Sequence, residues 1–279
     1  MTGDKLGLIA GGGALPIALA EQCEAVARPL FVVRLRGFAD PALRRFDGAD
    51  VGLGELGAAM AALHGAGCRS VCMAGSVSRP DFATLKPDLR GLKVLPGLVA
   101  AARRGDDALL RAVLGEFERE GFKVEGADDV AGGLPLAAGP LGELTPDAGQ
   151  HADVDQALTV ARALGALDVG QGAVACDGLV LAVEAQEGTD AMLARVAGLP
   201  IEIRGTATRR RGVLVKVLKP IQERRADMPV IGVQTIENAA AAGLAGVAGE
   251  AGGLLVLDAA AVRARADALG LYVYGIPSS

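Results

Sequence analysis

The stretch KLGLIAGGGALPIALAEQCEAVARPLFVVRL, residues 5–35, decides the fold class. A short apolar run, KLGLIA, precedes a segment with helical spacing from about Pro16 to Ala27, and a second apolar run, LFVVRL, follows it. Strand, helix and strand in this order form a βαβ unit, whose two strands are parallel. Pro16 suits the first helical turn, where the N–H that proline lacks would have no partner within the helix. The sequence therefore predicts an α/β protein with a parallel sheet.

The same alternation continues through the first half of the chain. The apolar runs ADVGLG and SVCMAG flank a helical segment near Glu55–Gly65, and the pattern is helical from about Leu89 to Gly121. The segment GDDALLRAVLGEFEREG places acidic residues in a first turn, where the helix dipole stabilises them. Residues 1–132 are therefore predicted to form a Rossmann-like domain with a parallel sheet.

A second domain is predicted after a break rich in glycine and proline. Residues 133–149 contain no long periodic segment and predict a linker. Beyond them, Asp177-Gly178 joins the strands GAVACDG and LVLAVEA, and this dipeptide is typical of a tight turn between antiparallel strands. Residues 150–279 are therefore expected to form an α/β catalytic domain with a mixed sheet. Its other predicted elements are strands at VLVKVL, VIGVQT, LLVLDA and LYVYG, and helices near Val154–Leu164, from Thr189 and over about Ala259–Leu269.

Length, charge and the distribution of apolar residues limit the classes of protein to which the chain can belong. The chain has 279 residues, enough for two ordinary domains, and its 22% charged fraction suits a soluble protein. No apolar run approaches the roughly 20 residues of a membrane helix, and the start of the chain lacks a signal-peptide pattern, so we expect a cytoplasmic protein. A net charge of −5 argues against a general nucleic-acid binder.

Cysteine and histidine offer little catalytic chemistry. The spacing of His64, Cys68 and Cys72 resembles that of metal ligands, but CRSVCMAG has the pattern of an entry into a buried strand. With only His64 and His151 in the chain, carboxylates are the better candidates for acid and base. The four cysteines are too scattered for a disulfide framework and are expected to be reduced: Cys23, Cys68, Cys72 and Cys176.

The glycine run Gly11-Gly12-Gly13 follows the first strand. Glycines there let backbone N–H groups approach a phosphate at a helix N-terminus. The dinucleotide fingerprint G-x-G-x-x-G is matched only in part, because Pro16 stands at its last glycine position. The second strand carries Arg34 and Arg36, which suit a phosphate better than a ribose. The alternative is a tight strand-to-helix turn without a ligand.

A second candidate is LAVEAQEGTDAML, residues 181–193. Glu184 and Glu187 end a strand, and Gly188-Thr189-Asp190 opens a helix, so carboxylates and free N–H groups converge. Such a cluster suits Mg²⁺ together with a phosphate. The alternative is ordinary capping of the helix by Thr189 with solvated acids, which leaves the two glutamates unexplained.

A third candidate is the charged segment in LVKVLKPIQERRADMPVIGV, residues 214–233. Pro220 and Pro229 forbid a regular helix there. The cations suit a diphosphate, and a nearby carboxylate suits a metal or a water molecule. A solvated hairpin is the alternative. Its polar residues are Lys216, Lys219, Gln222, Glu223, Arg224, Arg225 and Asp227.

A fourth candidate is the pair Asp106 and Asp107 at the start of a predicted helix in RRGDDALL. Capping of that helix is an equally good explanation for both residues.

Four stretches together resemble the family of UDP-2,3-diacylglucosamine pyrophosphatases of lipid A synthesis known as LpxI. They are AGGGALP, GDDALL, DVGQGAVACDGLVLAVEAQEGTDAML and LKPIQERRADMPVIG, of which the last two are specific, and the similarity covers essentially the whole chain. The resemblance implies Mg²⁺-assisted hydrolysis of UDP-2,3-diacylglucosamine to 2,3-diacylglucosamine 1-phosphate (lipid X) and UMP, with water attacking the β-phosphorus. It also implies two domains with the lipid held between them. The metallophosphoesterases that perform this step in other Gram-negative bacteria have histidine-rich motifs, which this chain lacks.

The resemblance also assigns residues. Asp227 matches the second acidic position of K-P-x-Q-[DE]-x-R-x-D-x-P and is the predicted catalytic residue, as metal ligand or water-orienting base. Glu187 and Asp190 are expected to help it hold Mg²⁺. Glu223 is a further candidate ligand, although an aspartate is familiar at that position. The predicted substrate-binding residues are Gly11, Gly12, Gly13, Gln171, Gly188, Thr189, Lys216, Lys219, Gln222 and Arg225.

The lipid substrate predicts peripheral contact with the cytoplasmic face of the inner membrane. No stretch with a clearly basic amphipathic face identifies a docking surface, and the oligomeric state is open, a homodimer included. Two other functions remain as alternatives. One is an NADP-dependent oxidoreductase, supported by the first βαβ unit with Arg34 and Arg36, and the other is a non-catalytic regulator that binds a nucleotide or lipid.

Overall fold

The computed structural model describes residues 4–78, 82, 85–219, 223–225 and 228–277. The chain divides into two compact units. The N-terminal unit comprises Met1–Gly132 together with the segment Glu223–Asp227, of which residues 223–225 are described. The C-terminal unit comprises Gly133–Gln222 and Met228–Ser279.

The N-terminal unit contains a five-stranded parallel sheet in the order β3-β2-β1-β4-β5. Its strands are β1 (Leu6–Ala10), β2 (Leu30–Leu35), β3 (Gly48–Val51), β4 (Ser70–Ala74) and β5 (Lys123–Val124). Its helices are α1 (Leu15–Ala25), α2 (Leu56–Gly65), α3 (Leu89–Ala102), α4 (Asp106–Arg119) and α5 (Ala127–Val130), with a 3-10 turn at Pro41–Arg45.

The order of these strands places a switch point between β1 and β4. The chain leaves β1 toward β2 on one side and β4 lies on the other, and open α/β sheets bind ligands at the carboxyl ends of strands at such a point. The sheet is buried: all five residues of β1 are inaccessible or nearly so. Ile9, Val33 and Val71 on the strands pack with Leu63 of α2 and Phe117 of α4 in one core cluster.

The C-terminal unit contains a six-stranded mixed sheet in the order β6-β13-β11-β9-β7-β8. Strands β9, β11 and β13 are mutually parallel, β7 is antiparallel to β8 and β9, and β6 is antiparallel to β13. Strands β10 and β12 form a separate parallel pair. The strands are β6 (Gly139–Pro140), β7 (Gly172–Cys176), β8 (Leu179–Val183), β9 (Val213–Lys216), β10 (Val230–Ile231), β11 (Gly246–Glu250), β12 (Leu255–Val256) and β13 (Tyr272–Ile276).

Helices cover both faces of this sheet. α6 (Ala148–Ala166) packs on one face against Ala173, Val213 and Val215. Leu214 and Val247 face the opposite side, where α7 (Gly188–Ala197), α8 (Val233–Ala241) and α9 (Ala259–Leu269) complete a second core. The prediction of an α/β fold with a parallel N-terminal sheet and a mixed C-terminal sheet is confirmed.

Local predictions succeeded where the turn or the helical period was strong. The predicted β7–β8 hairpin is antiparallel, and Asp177 and Gly178 both adopt positive φ, at 48° and 78°. α9 has the predicted bounds. The strand predicted over VIGVQT is confirmed only for its first two residues, because β10 ends at Ile231 and α8 begins at Val233. Ile236 and Ala239 of α8 are buried three residues apart, and this helical period prevails over the β-branched composition.

The four cysteines are buried free thiols. Burial raises the pKa of the Cys72 thiol, which lies on β4, to about 12. Across the described ranges, no helix has the length and apolarity needed to cross a membrane.

Candidate functional site

Polar side chains gather at one edge of the C-terminal sheet. β8, β9 and β11 run in the same direction and end at this edge, and β7 begins there because it is antiparallel to β9. Glu184 follows β8, Lys216 is the last residue of β9, and Gln171 precedes β7. The β-strand registers therefore bring together three residues from the ends of three neighbouring strands.

Glu184 is a buried carboxylate, with only 6% of its surface exposed. The hydroxyl of Thr189, in the first turn of α7, donates a hydrogen bond of 2.8 Å to Glu184 Oε1. The other carboxylate oxygen, Oε2, is buried and has no hydrogen-bond partner among the described residues. A buried acceptor without a partner carries a desolvation cost and calls for an explanation.

Lys216 is equally buried, at 6% exposed, and its Nζ donates to Val230 O at 3.2 Å. The register pairs Lys216 with Gly172, and Glu184 N donates to Gly172 O at 2.8 Å. Directly opposite residues point to the same face of a sheet, so Lys216 and Glu184 lie on either side of Gly172 on one face. A Cβ at Gly172 would stand 2.5 Å from Glu184 Oε2, so the glycine makes room for the carboxylate.

Two further predicted binding residues lie near the same strand ends. The amide oxygen of Gln171 is buried without a hydrogen-bond partner in the described part of the chain, while its backbone O accepts from Val217 N at 2.9 Å. Lys219 Nζ pairs with Asp168 Oδ1 at 2.9 Å. Gln171 is thus a second polar side chain at this edge whose buried oxygen is unsatisfied.

The first turn of α7 contributes backbone donors. Gly188 has a φ of 79° and would place a Cβ in open space, so the approach to the helix N-terminus is unobstructed there. A helix N-terminus presents unpaired N–H groups and a partial positive charge to an anion. Together with the two lysines, it makes the edge suited to binding phosphate groups.

Glu187 and Asp190, the predicted Mg²⁺ ligands, hold other partners. Glu187 pairs with Arg195 of α7, and its own backbone N–H and Arg195 hold the pKa of Glu187 below its ordinary value. Asp190 Oδ1 accepts from Asn238 Nδ2 of α8 at 2.8 Å. In the residues that the structure describes, no group of three His, Cys, Asp or Glu side chains forms a metal site.

The charged segment 223–225 belongs to the N-terminal unit and is anchored there. Glu223 N donates to Asp107 Oδ1 of α4 at 2.5 Å, so Asp107 receives a backbone contact from this segment. Arg225 pairs with Glu223 at 3.0 Å and with Glu118 of α4 at 2.7 Å. Arg224 pairs with Asp128 of α5 at 3.0 Å.

Through these contacts, the charged residues of segment 223–225 hold the segment against α4 and α5. Arg225 holds the pKa of Glu223 below its ordinary value, and Glu223 and Glu118 raise that of Arg225. The predicted roles of Arg225 in substrate binding and of Glu223 as a metal ligand stay predictions. Gln222 and Asp227, predicted for substrate binding and catalysis, lie outside the described residues.

The N-terminal glycines serve close packing at the switch point. Gly11 N donates to Ala74 O and Gly12 N to Ser76 O, both at 2.8 Å, so these two N–H groups are engaged. A Cβ at Gly11 would stand 2.7 Å from Ser76 O. Gly13 has a φ of 88° and open space at its Cβ position. Of the three predicted phosphate-binding glycines, Gly13 is therefore the one with room for a ligand.

Arg34 and Arg36, on which the NADP alternative depends, bind neighbouring strands and loops. Arg34 Nε pairs with Asp50 at 2.8 Å and its Nη1 donates to Phe46 O at 3.2 Å. Arg36 pairs with Glu55 and donates to Asp50 O. A cavity of about 170 Å³ lies beside these arginines, but their guanidinium groups are already occupied in holding the β2–β3 region.

Sequence reasoning ranked Glu187 and Asp190 above Glu184, whereas the structure singles out Glu184. The available signal was the alternation of β8, in which Glu184 continues the buried face after Ala182. Asn238, the partner of Asp190, carried no recognisable signal, because no helix was predicted over α8 and its first residues were assigned to a strand.

Comparison with known proteins matches both units. Residues 5–134 match the family model for the LpxI N-terminal domain, and residues 137–274 match that for the LpxI C-terminal domain. The chain is 64% identical over 272 residues to the UDP-2,3-diacylglucosamine pyrophosphatase LpxI of Caulobacter vibrioides, covering 98% of this chain and 97% of that protein. The residues at the sheet edge thus belong to a chain that is similar to a named pyrophosphatase over almost its entire length. The chain belongs to the LpxI family.

Proposed function

We propose that the protein hydrolyses the diphosphate of UDP-2,3-diacylglucosamine, giving UMP and 2,3-diacylglucosamine 1-phosphate. The observation that carries the proposal is the edge of the C-terminal sheet, where Lys216, Glu184 and Gln171 meet the first turn of α7. Its donors and cations suit a diphosphate. A relative of 64% identity is named for this pyrophosphatase activity, which supports the choice of substrate.

The chemistry requires negative charge to be dispersed, because a diphosphate repels a nucleophilic water. The α7 N-terminus and the ammonium groups of Lys216 and Lys219 would offset charge on the phosphate oxygens. Glu184 holds the Thr189 hydroxyl through a hydrogen bond of 2.8 Å and is a positioning residue in this scheme. This bond fixes the first turn of α7, so its backbone N–H groups need no further ordering at the transition state.

Asp227 is the proposed group that orients the attacking water. This assignment rests on its place in the K-P-x-Q-[DE]-x-R-x-D-x-P motif, since the residue lies outside the described part of the chain. Attack at the β-phosphorus, as the family resemblance implies, leaves UMP as the departing group.

Mg²⁺ is proposed as cofactor on the same resemblance. A bound Mg²⁺ neutralises developing charge on phosphate oxygens. The described carboxylates do not assemble its site: Glu187 binds Arg195, Asp190 binds Asn238, and Glu223 binds Arg225 in the N-terminal unit. No catalytic step is therefore assigned to the metal.

A substrate with two fatty chains resides in a membrane leaflet. We therefore propose that the protein acts at the cytoplasmic face of the inner membrane and contacts it peripherally. Membrane contact of this kind needs only a surface that binds reversibly to the leaflet.

The proposal is tested by UMP release from UDP-2,3-diacylglucosamine in detergent micelles, with and without EDTA. The expected result is stoichiometric release of UMP that EDTA suppresses and added Mg²⁺ restores. Binding of the substrate without release of UMP would support a regulator instead. A rise in melting temperature with NADPH but not with UMP or the sugar 1-phosphate would support the oxidoreductase.

A further inference from the structure

The outer face of α3 has an unusual composition for a solvent-exposed surface. Leu89 is 90% exposed and Leu92 is 59% exposed. The helix is amphipathic, and its buried side includes Gly91 and Ala101. The exposed positions recur at intervals of three and four, which places them on one side of the helix: Leu89, Leu92, Lys93, Pro96, Gly97 and Ala100, followed by Arg103 and Arg104.

This face carries cations and apolar groups without acids. Residues 89–104, LRGLKVLPGLVAAARR, hold four of the chain's 28 basic residues and none of its 33 acidic residues. They also contain no Ser, Thr, Asn or Gln. An ordinary solvated helix face mixes charges of both signs with neutral polar groups, so simple exposure to water does not account for this composition.

We propose that the α3 face, defined as Leu89, Leu92, Lys93, Arg103 and Arg104, docks the protein onto a membrane leaflet that contains anionic phospholipid. Two exposed leucines can enter the headgroup region, while Lys and Arg side chains extend their charges toward lipid phosphates. Each cation near an anionic surface adds to binding. The net charge of the whole chain is −5, so attraction to such a surface requires a local basic patch of this kind.

Charge complementarity favours a lipid surface over a second copy of this chain. An α3 face packed on its own copy would bring like charges together, since the face contains no acid to pair with them. The inference deepens the proposed function, because docking would bring the protein to a substrate that resides in the leaflet. The biological purpose of docking rests on that proposed function, whereas the measurement of vesicle binding does not depend on it.

The test is co-sedimentation with vesicles, comparing pure phosphatidylcholine with vesicles that contain about 30% phosphatidylglycerol. The natural protein is expected to bind the anionic vesicles and to dissociate as salt rises. The Leu89→Ser/Leu92→Ser variant should bind at least about tenfold more weakly, because it loses two apolar anchors. Lys93→Gln/Arg103→Gln/Arg104→Gln should lose the preference for anionic vesicles.

A matched control uses exposed apolar residues of the C-terminal unit. Leu167 and Ile201 are 74% and 58% exposed, so Leu167→Ser/Ile201→Ser removes a similar apolar surface and should bind vesicles like the natural protein. Circular dichroism and the melting temperature verify that each variant is folded. Equal vesicle binding by the Leu89/Leu92 variant and the natural protein would overturn the proposal. So would a natural dimer that this variant converts to monomers, since the face would then be an interface between copies.

Activity separates this inference from the proposed function. With docking through α3, the Leu89/Leu92 variant should release UMP normally from substrate in detergent micelles and more slowly from substrate in vesicles. Absence of UMP release by the natural protein in micelles would refute the proposed function and leave the vesicle-binding result to decide on docking.

Discussion

Glu184 is the residue whose surroundings most need an explanation. Its Oε2 is buried without a hydrogen-bond partner among the described residues, and a buried anion in that state lowers stability unless a binding role compensates. Its Oε1 fixes the Thr189 hydroxyl at 2.8 Å. The sequence indicated that acids gather after β8, and the alternation of β8 was the one signal for which glutamate is buried. The space that accommodates this carboxylate depends on Gly172 in the neighbouring strand, which a local window of sequence does not show.

Glu184→Gln and Thr189→Val should each lower kcat/KM by at least about tenfold, because the first weakens and the second removes the hydrogen bond that fixes the first turn of α7. Their effects should be less than additive, since both act on one hydrogen bond. Glu184→Gln should not lower the melting temperature, because it removes an uncompensated buried charge. The measurement is steady-state kinetics with denaturation curves. Thr159→Val is the matched control, since Thr159 bonds Asp155 O in the exposed part of α6; additive effects of the two site variants would contradict the account.

The ion pair of Glu223 and Arg225 should make stability depend on pH. Arg225 holds the pKa of Glu223 below its ordinary 4.5, so the unfolded state binds the proton more readily than the folded state. The pair therefore stabilises fully at pH values above the unfolded pKa, and its contribution is lost as pH falls through the folded pKa. Glu223→Gln should cost about 0.5 to 1 kcal/mol at about pH 7 and close to nothing at about pH 2.

Urea denaturation at the two pH values measures this difference. Glu143 is an exposed glutamate of the C-terminal unit, so Glu143→Gln serves as the control and should match the natural protein at both pH values. A deficit of the Glu223→Gln variant that persists unchanged in acid would contradict the ion-pair explanation.

Predictions for individual helices and strands were correct where a local rule dominates and failed where tertiary packing determines the structure. The β7–β8 hairpin and α9 were recoverable because an Asp-Gly turn and a helical period mark them. β11 was not predicted, since the glycines of GVAGE lower strand propensity. Packing explains why a glycine stands at position 246, because a Cβ there would lie 2.3 Å from the Tyr272 ring. Such long-range packing between two parallel strands is invisible in a local window of sequence.

Gly172, the first residue of β7, provides a further prediction. Gly172→Ala would place a Cβ 2.5 Å from Glu184 Oε2, so the carboxylate must move and release Thr189. The expected result is a loss of activity similar to that of Thr189→Val, with a modest fall in melting temperature. Gly133→Ala is the control, because a Cβ at Gly133 meets open space. Full activity of the Gly172→Ala variant would contradict the role given to this glycine.

The sequence was sufficient to predict the fold class but insufficient to predict which residues the charged segment 223–225 contacts. Periodicity and turns predicted a parallel sheet followed by a mixed one. The charges of residues 223–225 were expected to face a ligand, yet Arg225 contacts Glu118 and Arg224 contacts Asp128, about a hundred residues earlier in the chain. Pairings at that separation depend on tertiary folding, which single-sequence patterns do not encode.

The central claim concerns which bond the protein breaks. ³¹P NMR of UDP-2,3-diacylglucosamine incubated with the protein in ¹⁸O-labelled water measures this directly. We expect the diphosphate signals to be replaced by two phosphate monoesters in equal amounts, UMP and the sugar 1-phosphate, with the label in the sugar phosphate. Asp227→Ala should slow this conversion by at least about a hundredfold, whereas Asp155→Ala, at an exposed position of α6, should not. Persistence of the diphosphate signals with the natural protein, or release of UDP with its diphosphate intact, would contradict the claim.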